Sequence, residues 1–179
     1  MNAWELRRRL EKAVFARIRD EHGDTAITEE PYISRLTGYN YGDQDVPVDY
    51  LHAIEAADWV NRIAHSMTDE YACKARGQGH SWDDIADAFG IDRDEVSEPA
   101  VEAFQRVAPP ERYGWGDNNA CWTCTSCNQR VTDRGPYEGN PADNETGHGE
   151  DCERHQREIS AYRRQWDRAD NGPEWEFER

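Results

Sequence analysis

The chain has 179 residues, 37 of them acidic and 21 basic, with a formal charge of −16 at pH 7. That length fits one domain, or one domain with a small appendage, and 36% apolar against 32% charged residues leaves material for only a small core. Seven Trp and eight Tyr argue against wholesale disorder.

The acidity is uneven. Residues 1–39 carry seven acids and seven bases, residues 40–120 seventeen and six, and residues 121–179 thirteen and eight. General attraction to phosphate is therefore excluded as the force behind anything the middle segment binds. No apolar run approaches 18 residues, so no membrane span is expected. The amphipathic start MNAWELRRRLEKAVFARIRD lacks the apolar block and cleavage site of a secretory signal. A cytoplasmic protein is the expectation.

In chain order, residues 2–22 read as a helix. Asn2-x-x-Glu5 resembles a capping box, Leu6, Leu10, Val14 and Ile18 form a stripe at i+4 spacing, and Gly23 is a stop signal. Residues 24–48 hold Pro31, Pro47 and Tyr-Gly or Gly-Tyr pairs and read mostly as loop. A second helix is expected after Pro47 with Asp49 as its cap. Leu51, Ile54, Val60, Ile63, Met67 and Tyr71 would pack into a core as far as about Ala75.

The stretch GHSWDDIADAFGIDRDEVSE opens with Ser81-x-x-Asp84, a capping-box variant. Ile85 and Phe89 give the short helix an apolar face, Ala86 is small, Gly90 suits a left-handed turn, and Ile91 and Val96 continue the pattern. It resembles a helix-turn-helix over residues 80–98, specifically the G-x-S-W-x-x-I-x-x-A-x-G-(I/V)-x-R type of actinobacterial and actinophage proteins. That resemblance implies DNA binding and transcription regulation. Arg93 is the strong base-edge candidate on the second helix and Ser97 a permissible one, while Asp92, Asp94 and Glu98 would repel phosphate. Pro99 shortens that helix or restarts it at Glu98.

Residues 109–120 are the expected linker, ending a helical domain over 1–108. Five cysteines are an odd number for a paired scaffold, and CxxC spacing in a cytosolic chain favours metal. Cys124-Thr-Ser-Cys127 followed by Asn128 reads as a zinc knuckle, whose residue after the second Cys needs positive φ. The remaining ligands are expected in GHGEDCERHQREISAYRRQW, where His148, Cys152 and His155 would share one stripe of a helix continued by Ile159, Tyr162 and Trp166. The expected set is Cys124, Cys127, His148 and Cys152, with Cys121 and His155 in reserve. Four protein ligands around Zn²⁺ make a structural site. The pattern C-x-x-C … D-x-G-P … P-x-D-x-E-x-G-H-x-x-x-C resembles a zinc segment of small actinobacterial proteins.

The expected fold is thus mainly α: a helix-turn-helix domain, then a small zinc-bound treble-clef or ribbon-like segment over 121–170 with a long C-terminal helix, and a tail over 171–179. The expected function is a helix-turn-helix DNA-binding regulator on duplex DNA, with Arg130, Arg163 and Arg164 among the phosphate contacts. The alternative is an acidic adaptor for a basic protein partner, of which a DNA mimic is the extreme form. A homodimer through the C-terminal helix is open to either. An enzyme is not expected: no nucleophile–base pair, phosphate loop or open metal position stands in the sequence. The His-Asn-His trio of an HNH nuclease is missing too.

Overall fold

A computed structural model describes residues 2–108, 118–137 and 140–170, the last three by backbone alone. Most of the expected linker, the tail over 171–179 and the side chain of Arg168 lie outside the described residues. Those described are mainly helical, with two small antiparallel sheets. The chain divides into two compact units, residues 1–67 and 68–179.

In the first unit, α1 (Ala3–His22) is capped by Asn2, whose side chain accepts the Glu5 N–H at 2.8 Å. The expected loop is in fact a hairpin, β1 (Ile27–Ile33) paired with β2 (Asn40–Pro47) from Ile27↔Pro47 to Ile33↔Asn40, with an irregularity between Pro31 and Ile33. Proline fits there because a two-stranded ribbon has only edges. The strands left no alternating signal because nearly every residue along them is exposed. α2 begins at Tyr50 and runs to Gln78, contributing residues to both units.

The expectation that the α2 stripe packs into a core is corrected. Leu51, Ile54, Ile63, Met67 and Tyr71 are 41–65% exposed, whereas Ala56, Ala72, Arg76 and Gly77 are the buried positions of the helix. The face with small side chains, and one charge, faces inward. Leu6 and Leu10 of α1 are likewise open to solvent, and Ile18 is fully buried.

The second unit holds α3 (Trp82–Ala88), α4 (Pro99–Val107), the sheet β3 (Ala120–Thr123), β4 (Arg130–Asp133) and β5 (Glu145–Thr146), the turn α5 (Pro141–Asn144) and α6 (Glu153–Asp170). The strands pair antiparallel in the order β3-β4-β5. Ser81 and Asp84 form the full capping box at the start of α3. Gly90 takes φ +66°, as a left-handed turn requires.

The second helix differs from expectation. Residues 93–95 form a turn and α4 starts at Pro99 after Glu98, so ten residues join the helices rather than the three or four of a helix-turn-helix. Proline suits the first helical position because its missing N–H costs nothing there. The core of the pair is Trp82, Ile85, Ala86, Ile91, Ala103 and Phe104 with Ala72 of α2, and it runs on to Ala120 of β3. The boundary expected at 109–120 is therefore not where the chain divides: helices and cysteine segment belong to one unit.

Candidate metal centre

The cysteine pair is placed by the hairpin β3–β4. Cys124 N–H donates to the Gln129 carbonyl at 2.9 Å and Asn128 N–H to the Cys124 carbonyl at 2.8 Å, folding the turn so that both sulfurs project on one side. Asn128, at φ 56°, is the single non-glycine residue with positive φ among the described residues. That is the position the knuckle reading marked. The end of α2 seats the knuckle: Thr125 donates to the Gly77 carbonyl through N–H at 3.1 Å and through Oγ1 at 2.8 Å. A Cβ at Gly77 would lie 2.5 Å from the Thr123 carbonyl oxygen, so only glycine permits this approach.

Cys124, Cys127, His148 and Cys152 converge, their ligand atoms all within 4.8 Å of one another. Cys124 Sγ lies 3.8 Å from Cys152 Sγ, and Cys127 Sγ lies 3.8 Å from His148 Nδ1. A tetrahedral ion bonded to sulfur at about 2.3 Å would set two sulfurs about 3.8 Å apart. The four could hold a metal ion.

The helical stripe proposed for the second pair is corrected: α6 begins only at Glu153, so His148 sits in the loop after β5 and Cys152 just ahead of the helix. Of the reserves, Cys121 is exposed on β3 with its sulfur 3.9 Å from Thr132 Oγ1, outside the cluster. His155 stacks on His148 with ring centroids 4.2 Å apart and joins only a second grouping with Glu145 and His148. Burial, and then His148, hold its pKa below the usual histidine value.

His148 is oriented from behind. With Nδ1 toward Cys127, its Nε2 donates to Glu145 Oε2 at 2.9 Å, the carboxylate–histidine arrangement that fixes the tautomer of a ligating imidazole. The other Glu145 oxygen accepts from Arg76 of α2, whose Nε donates to Asp133 Oδ2 at 3.1 Å. The same Asp133 oxygen accepts Trp82 Nε1 of α3 at 3.0 Å and Trp122 Nε1 of β3 at 3.3 Å, and Oδ1 accepts the Gly135 N–H at 2.8 Å. Arg154 of α6 donates to the Arg76 carbonyl at 2.6 Å and to Glu158 at 3.0 Å, with its guanidinium 4.5 Å from the Trp122 ring centre. Arg76, Asp133, Glu145 and Arg154 are all buried. One hydrogen-bonded chain thus runs from His148 of the cluster to the first residue of α3.

The electrostatics follow. Burial raises the Glu145 pKa, and Arg76 offsets part of that rise. At Cys127 burial also works upward, but the Gly149 and Gln129 N–H groups and His148 outweigh it and bring the thiol down to about 6. At Cys152 burial wins and the pKa is raised.

The network was missed because buried charges leave no periodic signal. Two of its members do stand in the quoted pattern: Asp133 is its D-x-G-P aspartate, and Glu145 precedes His148 by three. Arg154, a basic residue near the start of α6, is buried and internally bonded. Arg93, the expected base reader, lies in the α3–α4 connection. Its Nε and Nη2 donate to Asp87 Oδ1 at 3.0 and 2.9 Å, and Nη1 is 3.6 Å from Asp83. Ser97 is an exposed bend residue, Arg130 opens β4 at the surface, and Arg163 and Arg164 are exposed on α6. No protein family, no curated protein and no solved structure matches the chain.

Proposed function

We propose that residues 68–170 form a zinc-stabilised interaction module whose acidic α3–α4 face binds a basic protein partner. Three thiols and one imidazole are the donor set that suits Zn²⁺. Filling all four tetrahedral positions leaves none for water or substrate, so the metal serves structure. When bound it supplies folding free energy. Knuckle hairpin, ligand loop and a ligand at the head of α6 support a treble-clef-like reading of the segment.

The observation that carries the binding reading is the state of the cations on the helix pair. Residues 81–107 hold eight carboxylates and two arginines. Arg93 is engaged by Asp87 and Asp83, and Arg106 by Glu102 at 3.2 Å. A base-reading surface needs free donors and phosphate-facing cations; this surface offers carboxylates.

The test is binding by metal-loaded protein to random duplex DNA and to a synthetic Lys/Arg-rich peptide across a salt series. The expected result is no duplex binding even near 50 mM salt, and peptide binding that Asp92→Lys with Glu95→Lys abolishes. Duplex binding with a steep salt slope would overturn the reading and restore the DNA regulator, with phosphate contacts outside the acidic segment.

A further inference from the structure

The first unit has an unfinished core. Over 67 residues its buried apolar side chains among those described are Ile18, Val46, Pro47 and Ala56. A unit of that size is marginal even when well packed. Between α1, β2 and the first turns of α2 lies an open groove of about 740 Å³, floored by Leu10, Val14, Phe15, Val46 and Tyr50. Trp4, Leu6 and Leu10 on α1 and Tyr50, Leu51 and Ile54 on α2 are 45–65% exposed, Leu10 and Tyr50 within the groove and the others beside it on the same helices. At roughly 200 Å² apiece they leave about 700 Å² of apolar surface uncovered, close to the 800 Å² or so that each partner contributes to a standard stable interface.

We infer that this groove is covered by a second copy of the same unit, making the chain a homodimer through residues 1–67. Charge selects that occupant. Residues 2–12 carry four bases and two acids, while residues 40–58 carry five acids and neither Lys nor Arg. Both sets rim the groove: Arg7, Arg8 and Lys12, with Glu11 among them, stand on the α1 side, and Asp43 and Asp45 on the β2 side. Arg7 is paired with Glu11 and Asp45 with Arg19 within the chain, so Arg8, Lys12 and Asp43 carry the complementarity. In a two-fold arrangement the basic α1 rim of one copy meets the acidic β2 rim of the other, twice, which an isologous interface requires. A basic partner would be repelled by the α1 side, and an acidic one by the β2 side. A core this small also needs a cover present whenever the chain is, and its own copy meets that condition. Among the described residues, the later turns of α6 by contrast offer exposed Trp166 and half-buried Tyr162.

The experiment is sedimentation equilibrium on the full chain, metal-loaded, over a concentration and salt series. Wild type is expected to be a dimer. Tyr50→Glu places a charge on a side chain that is already 65% exposed in the single chain, and is expected to give monomers that keep their metal. If Tyr50→Glu fails to fold, the rim charges decide. Arg8→Glu alone and Asp43→Arg alone should each weaken the dimer about tenfold, and the double variant should recover most of that loss. Monomeric wild type, single charge variants without effect, or a dimer lost on Trp166→Glu and kept in Tyr50→Glu would each overturn the inference.

Discussion

Asp133→Asn tests the buried network at its most connected atom. The carboxylate is 1% exposed and meets four donors, three on Oδ2 and one on Oδ1. The amide that replaces it is nearly the same shape, so no cavity forms. Its oxygen can satisfy Arg76, Trp82 and Trp122 only by turning its NH₂ toward the Gly135 N–H. That leaves two buried donors facing one another, about 1–3 kcal/mol for each unmade bond. The Arg76 bond also loses its charge assistance, and charge-assisted bonds are about twice as strong as neutral ones. A loss of about 3 kcal/mol follows, a large share of the roughly 5–15 kcal/mol that a domain commands. The assay is urea unfolding of cobalt-substituted protein followed by two probes, the metal's visible absorption for the centre and far-ultraviolet circular dichroism for the helices. Both midpoints should fall together, while Glu95→Gln on the exposed α3–α4 connection should move neither. A loss below about 1 kcal/mol, or a shift in one probe only, would refute the reasoning.

Other outcomes follow from the same geometry. Cys127→Ser should leave substoichiometric zinc on metal analysis, whereas Cys121→Ser should keep one zinc per chain because Cys121 lies outside the cluster. Glu145→Gln keeps all four ligands but loosens His148, and should weaken zinc binding about 10–100-fold in a chelator competition. Metal capture should weaken with acid. The Cys127 thiol, lowered to about 6, is ionised and ready at neutral pH, and below about 6 a proton must leave before sulfur can bind. Affinity measured by competition from pH ~7 to ~5 should therefore fall as pH falls, and a flat profile would contradict this. Arg93→Ala should leave the urea midpoint nearly unchanged, since its ion pairs are exposed.

What the sequence disclosed was local chemistry. The knuckle was legible because two cysteines at fixed spacing and a residue tolerant of positive φ are a backbone requirement written in adjacent letters. The Ser81–Asp84 cap and the Pro99 helix start were legible for the same reason. The ligands His148 and Cys152 were found by residue type, yet placed on a helix that starts five residues after His148. The hairpin of residues 27–47 was hidden because strands exposed on both faces carry no alternation. The α2 stripe misled in the opposite sense: a 3.6-residue period reports a face that wants burial, not what buries it. Arg76 and Asp133 were least visible, because their meaning depends on partners 50–70 residues away.

The Cys/His cluster and the α3–α4 helices are expected to open as one cooperative unit, joined through His148, Glu145, Arg76, Asp133 and Trp82. Amide hydrogen exchange of the full chain, metal-loaded and after chelation, tests it most directly. Chelation is expected to deprotect the amides of Ile85, Ala86 and Phe104 in step with those of Cys124 and Val131. Helix amides that stay protected while the cysteine segment exchanges would show two independent folds and contradict it.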